Sequence, residues 1–356
     1  MQKPIKVGLM GYGYASKTFH APLIQSVPGL ELVAVSSSDP GKVLADWPSL
    51  AVLPSPDELL ARPDLDLIVI PTPNESHFPL AQAALAAGKH VVVDKPFTVS
   101  LAEARSLQKQ ADTTRQVLSV FHNRRWDADF LTLRQVIASG ELGPIVHFES
   151  HFDRYRPAVR ARWREQALPG SGLWYDLGSH LVDQCLQLFG RPDSIGLDVA
   201  RQRNNALADD WFHAVLRYGQ SRCLLHASAL VPSPAARFTV HGQRGSFLKY
   251  GLDPQEDALK AGNFPPAVKE AGSDWGVDTQ SATLTCWPNG VCQQRTLGAQ
   301  DGVAGDYPAY YHALRDAIWG KGPNPVSAAE ACEVIELLEL GVQSVQEARV
   351  IAVLRT

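Results

Sequence analysis

An apolar run at residues 5–10 ends in Gly11-Tyr12-Gly13-Tyr14-Ala15-Ser16, and helical periodicity begins immediately after it. A strand that turns through glycines straight into a helix admits few architectures. The turn requires backbone conformations that L side chains avoid, and the helix start offers unpaired N–H groups at the positive end of its dipole. A dinucleotide pyrophosphate suits that arrangement: Gly11 permits the tight turn, Gly13 the close approach of phosphate, and the small Ser16 stands where a third glycine would pack helix on strand. Tyr12, Tyr14 and Ala15 complete the expected cofactor border.

The following segments extend this unit. Apolar runs at 30–35, 67–70, 91–93 and 117–121 alternate with amphipathic stretches at 15–26, 78–87 and 101–111, the pattern of a parallel sheet with crossover helices. Ser100 and Glu103 form a capping box before the last of these helices, and Gly88 stops the one before it. The prediction is an α/β Rossmann domain, doubly wound, over residues 1–121.

Beyond it the pattern changes. A helix at 130–139 ends at Gly140, and strand-like runs at 145–152, 211–218, 222–230 and 236–241, several joined by short turns, predict antiparallel pairing. Residues 254–278 read as a long loop, and 307–319 and 328–346 as helices. A second α+β domain is therefore expected over 122–356, its last helices packing back on the first.

Composition excludes several classes. With 33 basic against 37 acidic residues the net charge is −4, which gives no global attraction to nucleic acid or to an anionic membrane. No stretch of about 18 uncharged apolar residues occurs. The five cysteines (Cys185, Cys223, Cys286, Cys292 and Cys332) are scattered without a C-x-x-C pair, as buried thiols of a reducing compartment would be. The expectation is a soluble, cytoplasmic protein.

The second strand should show which dinucleotide is bound, since an acidic residue roughly 20 positions on would meet the ribose 2′-hydroxyl of NAD. Ser36-Ser37-Ser38 stands there, and three hydroxyls with Lys42 nearby favour the 2′-phosphate of NADP(H), with NAD(H) the alternative. Asp39 either caps the next turn or points at the ribose. Thr72-Pro73-Asn74 and Asp94-Lys95-Pro96 close two strands at the carboxyl edge, where ligands bind in open α/β sheets. Lys95 there can donate to a substrate oxygen, or merely pair with Asp94.

In the second domain, Gly170-Ser171-Gly172-Leu173-Trp174-Tyr175-Asp176-Leu177-Gly178-Ser179-His180 leads into an apolar-faced helix. If the helix starts before Asp176, that carboxylate and His180 share a face, with Gln184 one turn on. A carboxylate beside an imidazole suits a general acid/base; an N-cap beside a core histidine is the bland alternative.

Together, the glycine turn with Tyr at its centre, Thr72-Pro73-Asn74 followed by His77, Asp94-Lys95-Pro96, and Gly172-x-x-x-Asp176-x-Gly178-x-His180 resemble the glucose–fructose oxidoreductase/inositol 2-dehydrogenase/rhizopine-catabolism (Gfo/Idh/MocA) family. The resemblance spans nearly the whole chain and implies a second domain with an open, mostly antiparallel sheet. It also implies reversible hydride transfer between NAD(P) and a sugar or cyclitol. By that resemblance Lys95 orients substrate, Asp176 lies beside it and His180 is the acid/base, while Thr72, Pro73, Asn74, His77, Asp94 and Pro96 border the cofactor. Asp94 replaces the family's usual Glu, one methylene longer. Phe19-His20-Ala21-Pro22 and Phe121-His122-Asn123-Arg124-Arg125-Trp126-Asp127 resemble the branch containing NADPH-dependent scyllo-inositol dehydrogenases. The same pattern implies that Asn123, Arg124, Trp126 and Trp163 meet the substrate, with a surface ion-pair role as the alternative for the arginines.

His147, Glu149, His151 and Asp153 alternate along one predicted strand and so share a face. Four ligands in line span about 20 Å at roughly 3.3 Å per residue, too far to surround one ion, so no metal is expected. A non-catalytic dinucleotide sensor is the competing class, though it would be expected to lack Lys95, Asp176 or His180. A reductase of a linear tetrapyrrole or an imine is the third reading. The uncovered face of an open sheet predicts a homodimer or homotetramer, and a small polyol or sugar is the expected partner.

Overall fold

The computed structural model describes residues 2–233, 235–267 and 273–354, the Asn289 side chain apart. The chain divides into two compact units: 1–123, 255–275 and 306–332 form the first, and 124–254, 276–305 and 333–356 the second. The continuous second domain expected over 122–356 is thus interrupted twice. The helix Tyr307–Ile318 belongs to the first unit, and Ala328–Glu347 crosses the boundary at Cys332.

The first unit is built on six parallel strands: β1 (Ile5–Met10), β2 (Leu30–Ser36), β3 (Ala51–Leu53), β4 (Leu67–Ile70), β5 (His90–Val93) and β6 (Leu118–Val120). Their order is β3-β2-β1-β4-β5-β6, doubly wound as predicted, so the connection reverses direction between β1 and β4. Every residue of β4 and β6 is buried, because helices cover both faces. Each fully buried Leu, Ile or Val there is worth roughly 1.5–3 kcal/mol. The strand β3 and the short helices Pro40–Asp46 and Pro56–Leu60 escape the periodicity argument because they are too short to show a period. Ser100 Oγ accepts the Glu103 N–H at 3.3 Å, the predicted cap, and the helix runs Leu101–Thr114.

The second unit carries nine strands: β7 (Ile145–His151), β8 (Ser194–Ala200), β9 (Trp211–Tyr218), β10 (Ser221–Ser228), β11 (Phe238–Gly242), β12 (Gly245–Lys249), β13 (Ala282–Cys286), β14 (Gln293–Leu297) and β15 (Ile351–Ala352). They run in the order β14-β13-β12-β11-β7-β10-β9-β8-β15, antiparallel except for the β7–β10 pair. Alternate residues Phe148, Phe212, Leu216, Leu225, Phe238 and Phe247 are buried, and Phe148 meets Phe189 of the helix Ser179–Phe189. The opposite face stays half-buried, so the sheet is one-sided. The stretch 254–278 is not all loop: Gln255–Lys260 is a helix, and residues 268–272 lie outside those described. Among the described residues no helix is long and apolar enough to cross a membrane.

Candidate functional site

At the carboxyl edge of β1, Gly11 has φ +86°, which a side chain would strain. A Cβ built on Gly13 meets nothing within 4 Å, so open space lies over the start of the next helix. That cradle fits a pyrophosphate. Residues 14–25 form one helix that passes through a π turn at Ser16–His20. Ser16 Oγ donates to Gly11 O at 2.8 Å, so the residue in the third-glycine position closes the turn with a hydrogen bond that glycine cannot make. Tyr12 turns inward and donates to Asp46 Oδ2 at 2.9 Å, leaving its backbone as the part that borders the turn. Lys17 Nζ reaches the same carboxylate at 2.8 Å, and its hydrogen bond lowers the Asp46 pKa. Tyr14 is exposed and donates to Glu256 Oε1 at 2.9 Å; desolvation first and Glu256 second push its phenol up to about 12.

At the end of β2 the three serines part. Ser36 is buried at the end of the strand, whereas Ser37 is half-buried and Ser38 and Lys42 are exposed. Asp39 resolves as a cap: its Oδ1 accepts the Lys42 N–H at 3.1 Å at the start of Pro40–Asp46.

Lys95 follows β5, half-buried, at a cis Lys95–Pro96 bond. Its N–H donates to Asp94 Oδ1 at 2.7 Å, and the other Asp94 oxygen lies 3.9 Å from His20 Nε2. His20 Nδ1 is 2.6 Å from the Tyr311 hydroxyl, and both side chains are fully buried. Burial by itself would raise the Asp94 pKa, but His20, with Lys95 and His77, holds it at about 2. A row Tyr311–His20–Asp94 therefore stands behind the Lys95 backbone. Sequence reasoning left His20 and Tyr311 without a role; a histidine inside the amphipathic stretch 15–26 was the available signal for the first, and nothing signalled the second.

His77 is also fully buried. Its ring nitrogens each lie 2.9 Å from a backbone carbonyl, Pro96 O and Thr72 O, so it braces the two edge loops instead of meeting a cofactor through its ring. Burial lowers its pKa. Thr72 Oγ1 accepts from Ser76 Oγ at 2.7 Å, Pro73 is exposed and Asn74 is buried.

In the second unit, residues 172–189 form one helix with a π turn at Trp174–Gly178, so Asp176 is helical and not an N-cap. Asp209 does the capping: its Oδ2 accepts the Trp174 N–H at 2.8 Å, and its backbone carbonyl accepts that of Leu173 at 2.9 Å. Gly172 has φ +87°, and a Cβ there would lie 1.8 Å from Asp209 Oδ1. Burial pushes Asp209 up to about 6, against the pull of those hydrogen bonds. No sequence pattern marked Asp209, which reaches the helix from 35 residues away.

Arg164 Nε lies 3.4 Å from Asp176 Oδ1, and its guanidinium stacks 4.6 Å above the half-buried Trp163 ring. Arg154, Arg156, Arg164, Asp176 and Asp209 line one polar cavity. His180 is buried on the same helix as Asp176, one turn on. Gln184 donates to Arg124 O and accepts from Arg237, both at 2.9 Å, and serves as a brace. Arg124 itself is buried, 3.2 Å from Asp127 and 4.7 Å over the Phe152 ring. Arg125 forks onto Asp183 at 2.7 and 3.0 Å, a buried pair and not the surface pair considered for it. Asn123 is buried and ends the first unit; Trp126, in the second, is half-buried.

A glycine cradle at the edge of a doubly wound sheet, with a helix-borne Asp and His on a second unit, defines a dinucleotide-dependent oxidoreductase by class. Family models agree: residues 5–122 match the oxidoreductase family's NAD-binding Rossmann fold and residues 134–353 its C-terminal alpha/beta domain. The chain belongs to the Gfo/Idh/MocA oxidoreductase family. It is 56% identical to the uncharacterized oxidoreductase YdgJ of Escherichia coli over 97% of both chains. It is 38% identical to the NADP(+)-dependent scyllo-inositol 2-dehydrogenase IolW of Bacillus subtilis, over 98% of this chain and 95% of that one. The solved structure of YPO2259 from Yersinia pestis superposes with a TM-score of 0.93 at 54% identity, covering 100% of this chain and 99% of that one.

Proposed function

We propose that the protein is an NADP(H)-preferring dehydrogenase that interconverts a secondary alcohol and a ketone on a sugar or cyclitol such as an inositol. The observation that carries this reading is the single helix that bears Asp176 and His180, with Arg164 on the aspartate. The bound nicotinamide supplies the hydride acceptor or donor. His180 takes the hydroxyl proton during oxidation and returns it during reduction. Asp176 orients the imidazole and stabilises its charged form, and Arg164, 3.4 Å away, pairs with that carboxylate. Lys95 steadies the substrate oxygen as it gains negative charge, held in place by the Asp94 bond to its own N–H. Ser37, Ser38 and Lys42 supply hydroxyls and one positive charge for a 2′-phosphate, and Asp39, engaged as a helix cap, leaves no terminal acid dedicated to a ribose. Trp126 and Trp163 offer flat faces to the substrate. The half-buried outer face of the second sheet is the surface for a homodimer or homotetramer.

The test is a fluorescence titration with NADPH and NADH, followed by inositols, their keto forms and aldoses with the reduced-nicotinamide absorbance monitored. Tight NADPH binding with turnover of one polyol class is expected. Binding of NADPH without turnover of any of these compounds would remove the polyol assignment.

A further inference from the structure

The outer face of the second sheet gathers imidazoles across strands. His226 of β10 stands directly opposite His151 of β7 in the parallel ladder, and His213 of β9 opposite His226, so three histidines form a row across the sheet. Asp153, two residues past His151, reaches under this row. One ligand atom each from His151, Asp153 and His226 lie within 4.8 Å of one another. Counting along β7 alone excludes such a site; the ladder adds His226 from a strand some 70 residues later, which that count omits.

One imidazole of the group is shared between two carboxylates. His151 Nε2 is 2.7 Å from Glu149 Oε1, and its Nδ1 is 3.1 Å from Asp153 Oδ2. A neutral imidazole has one N–H. If it is given to Glu149 at the shorter distance, the Nδ1 lone pair faces a carboxylate oxygen, and that contact needs either a second proton on the ring or a metal cation between the two atoms. His226 Nε2 lies 3.6 Å from the other Asp153 oxygen, which also accepts the Ser228 N–H at 3.1 Å. Among the described residues no Lys or Arg pairs with Glu149 or Asp153; His147, at 3.5 Å from Glu149, is a further imidazole. With the imidazoles neutral, the two carboxylates carry a formal −2, the charge of one divalent ion.

We propose that His151 Nδ1, His226 Nε2 and the Asp153 carboxylate bind a divalent transition-metal ion of the zinc class, clamping β7 to β10. Bond lengths near 2.1 Å set tetrahedral ligand–ligand edges of about 3.4 Å; His151 Nδ1 lies 3.1 Å from one Asp153 oxygen and His226 Nε2 3.6 Å from the other, so the carboxylate faces both imidazoles at about that spacing. Glu149 on the far nitrogen of His151 is the carboxylate–histidine–metal arrangement that fixes the tautomer and raises ligand basicity. The ligands all come from one chain, so a single subunit supplies the site, and its test does not rest on the proposed reaction.

The full chain, stripped with a chelator and desalted, is titrated with Zn(II) and with Co(II). One ion per chain is expected, with Co(II) d–d absorption bands of a low-symmetry N/O site and a Tm that rises with zinc. His226→Gln should weaken binding at least about tenfold and lose the bands while the circular dichroism is retained, and Glu149→Gln should weaken it about 10–100-fold. If His226→Gln does not fold, His151→Gln gives the same reading. Wild-type protein that takes up no stoichiometric zinc at micromolar concentration, or variants that bind as tightly as wild type, would overturn the site.

Discussion

The two sheets bury their strands differently, and the difference decides where chemistry is found. In the first unit β4 is buried along its whole length, so side chains on the sheet faces are scaffold and only the strand ends at Gly11, Thr72 and Lys95 are open to ligands. In the second unit β9 alternates half-buried and buried residues from Trp211 to Leu216, which leaves one face of β9 and β10 to hold polar groups such as His213 and His226. A sheet covered on both faces confines function to its edge; a one-sided sheet can also carry it on its face.

The sharpest break in that comparison is at His180. Replacing it with Ala should lower kcat by on the order of 10²–10⁴-fold at the pH optimum while NADPH binding, a property of the first unit, is unchanged. Retained turnover would remove the acid/base role. The glycines separate the units next. Gly172→Ala forces a Cβ onto Asp209 at φ +87° and should cost about 1–3 kcal/mol of stability, read as a lower Tm. Gly13→Ala has open space around its Cβ and should leave Tm unchanged while weakening NADPH binding roughly tenfold. If both changes lowered Tm equally, the open space over Gly13 would have no functional meaning.

A pH profile tests the cap in the second unit. Asp209 is raised to about 6, above an unfolded value near ~3.9, so between those values the folded state holds more protons than the unfolded one. Stability should therefore fall as pH rises from about 4 to 6, with the penalty complete above that. Asp209→Asn keeps an acceptor for the Trp174 N–H and should flatten this part of the curve, measured by urea midpoints. The smallest effect is expected at Lys42, an exposed charge: Lys42→Ala should reduce the NADPH-over-NADH preference on the order of 2–5-fold. An unchanged ratio would take Lys42 out of cofactor selection.

Much of the first unit was legible because its signals are local. The strand–glycine–helix junction, the Ser100 cap and the apolar runs of β1, β2, β4 and β5 each occupy contiguous residues, and the observed elements differ mainly by a residue or a few at their ends. The π turns at Ser16–His20 and Trp174–Gly178 were not legible, since a widened turn changes hydrogen bonding without changing the apolar period enough to notice. The burial of Arg124 was not legible, because a buried, paired arginine looks the same in a sequence as an exposed one. Its partner Asp127 was in plain view, but the Phe152 ring under it was not.

By itself the amino-acid order determined the doubly wound sheet, the change to antiparallel strands, the glycine cradle and the family, because each rests on residues close in the chain or on an ordered set of short motifs. Only the tertiary structure decided that Tyr311 and His20 stand behind Asp94, that Asp209 caps the helix of Asp176, and that His226 joins His151. These pairings span 35 to 291 residues, and their distances are set by strand register and helix packing, which no local pattern encodes.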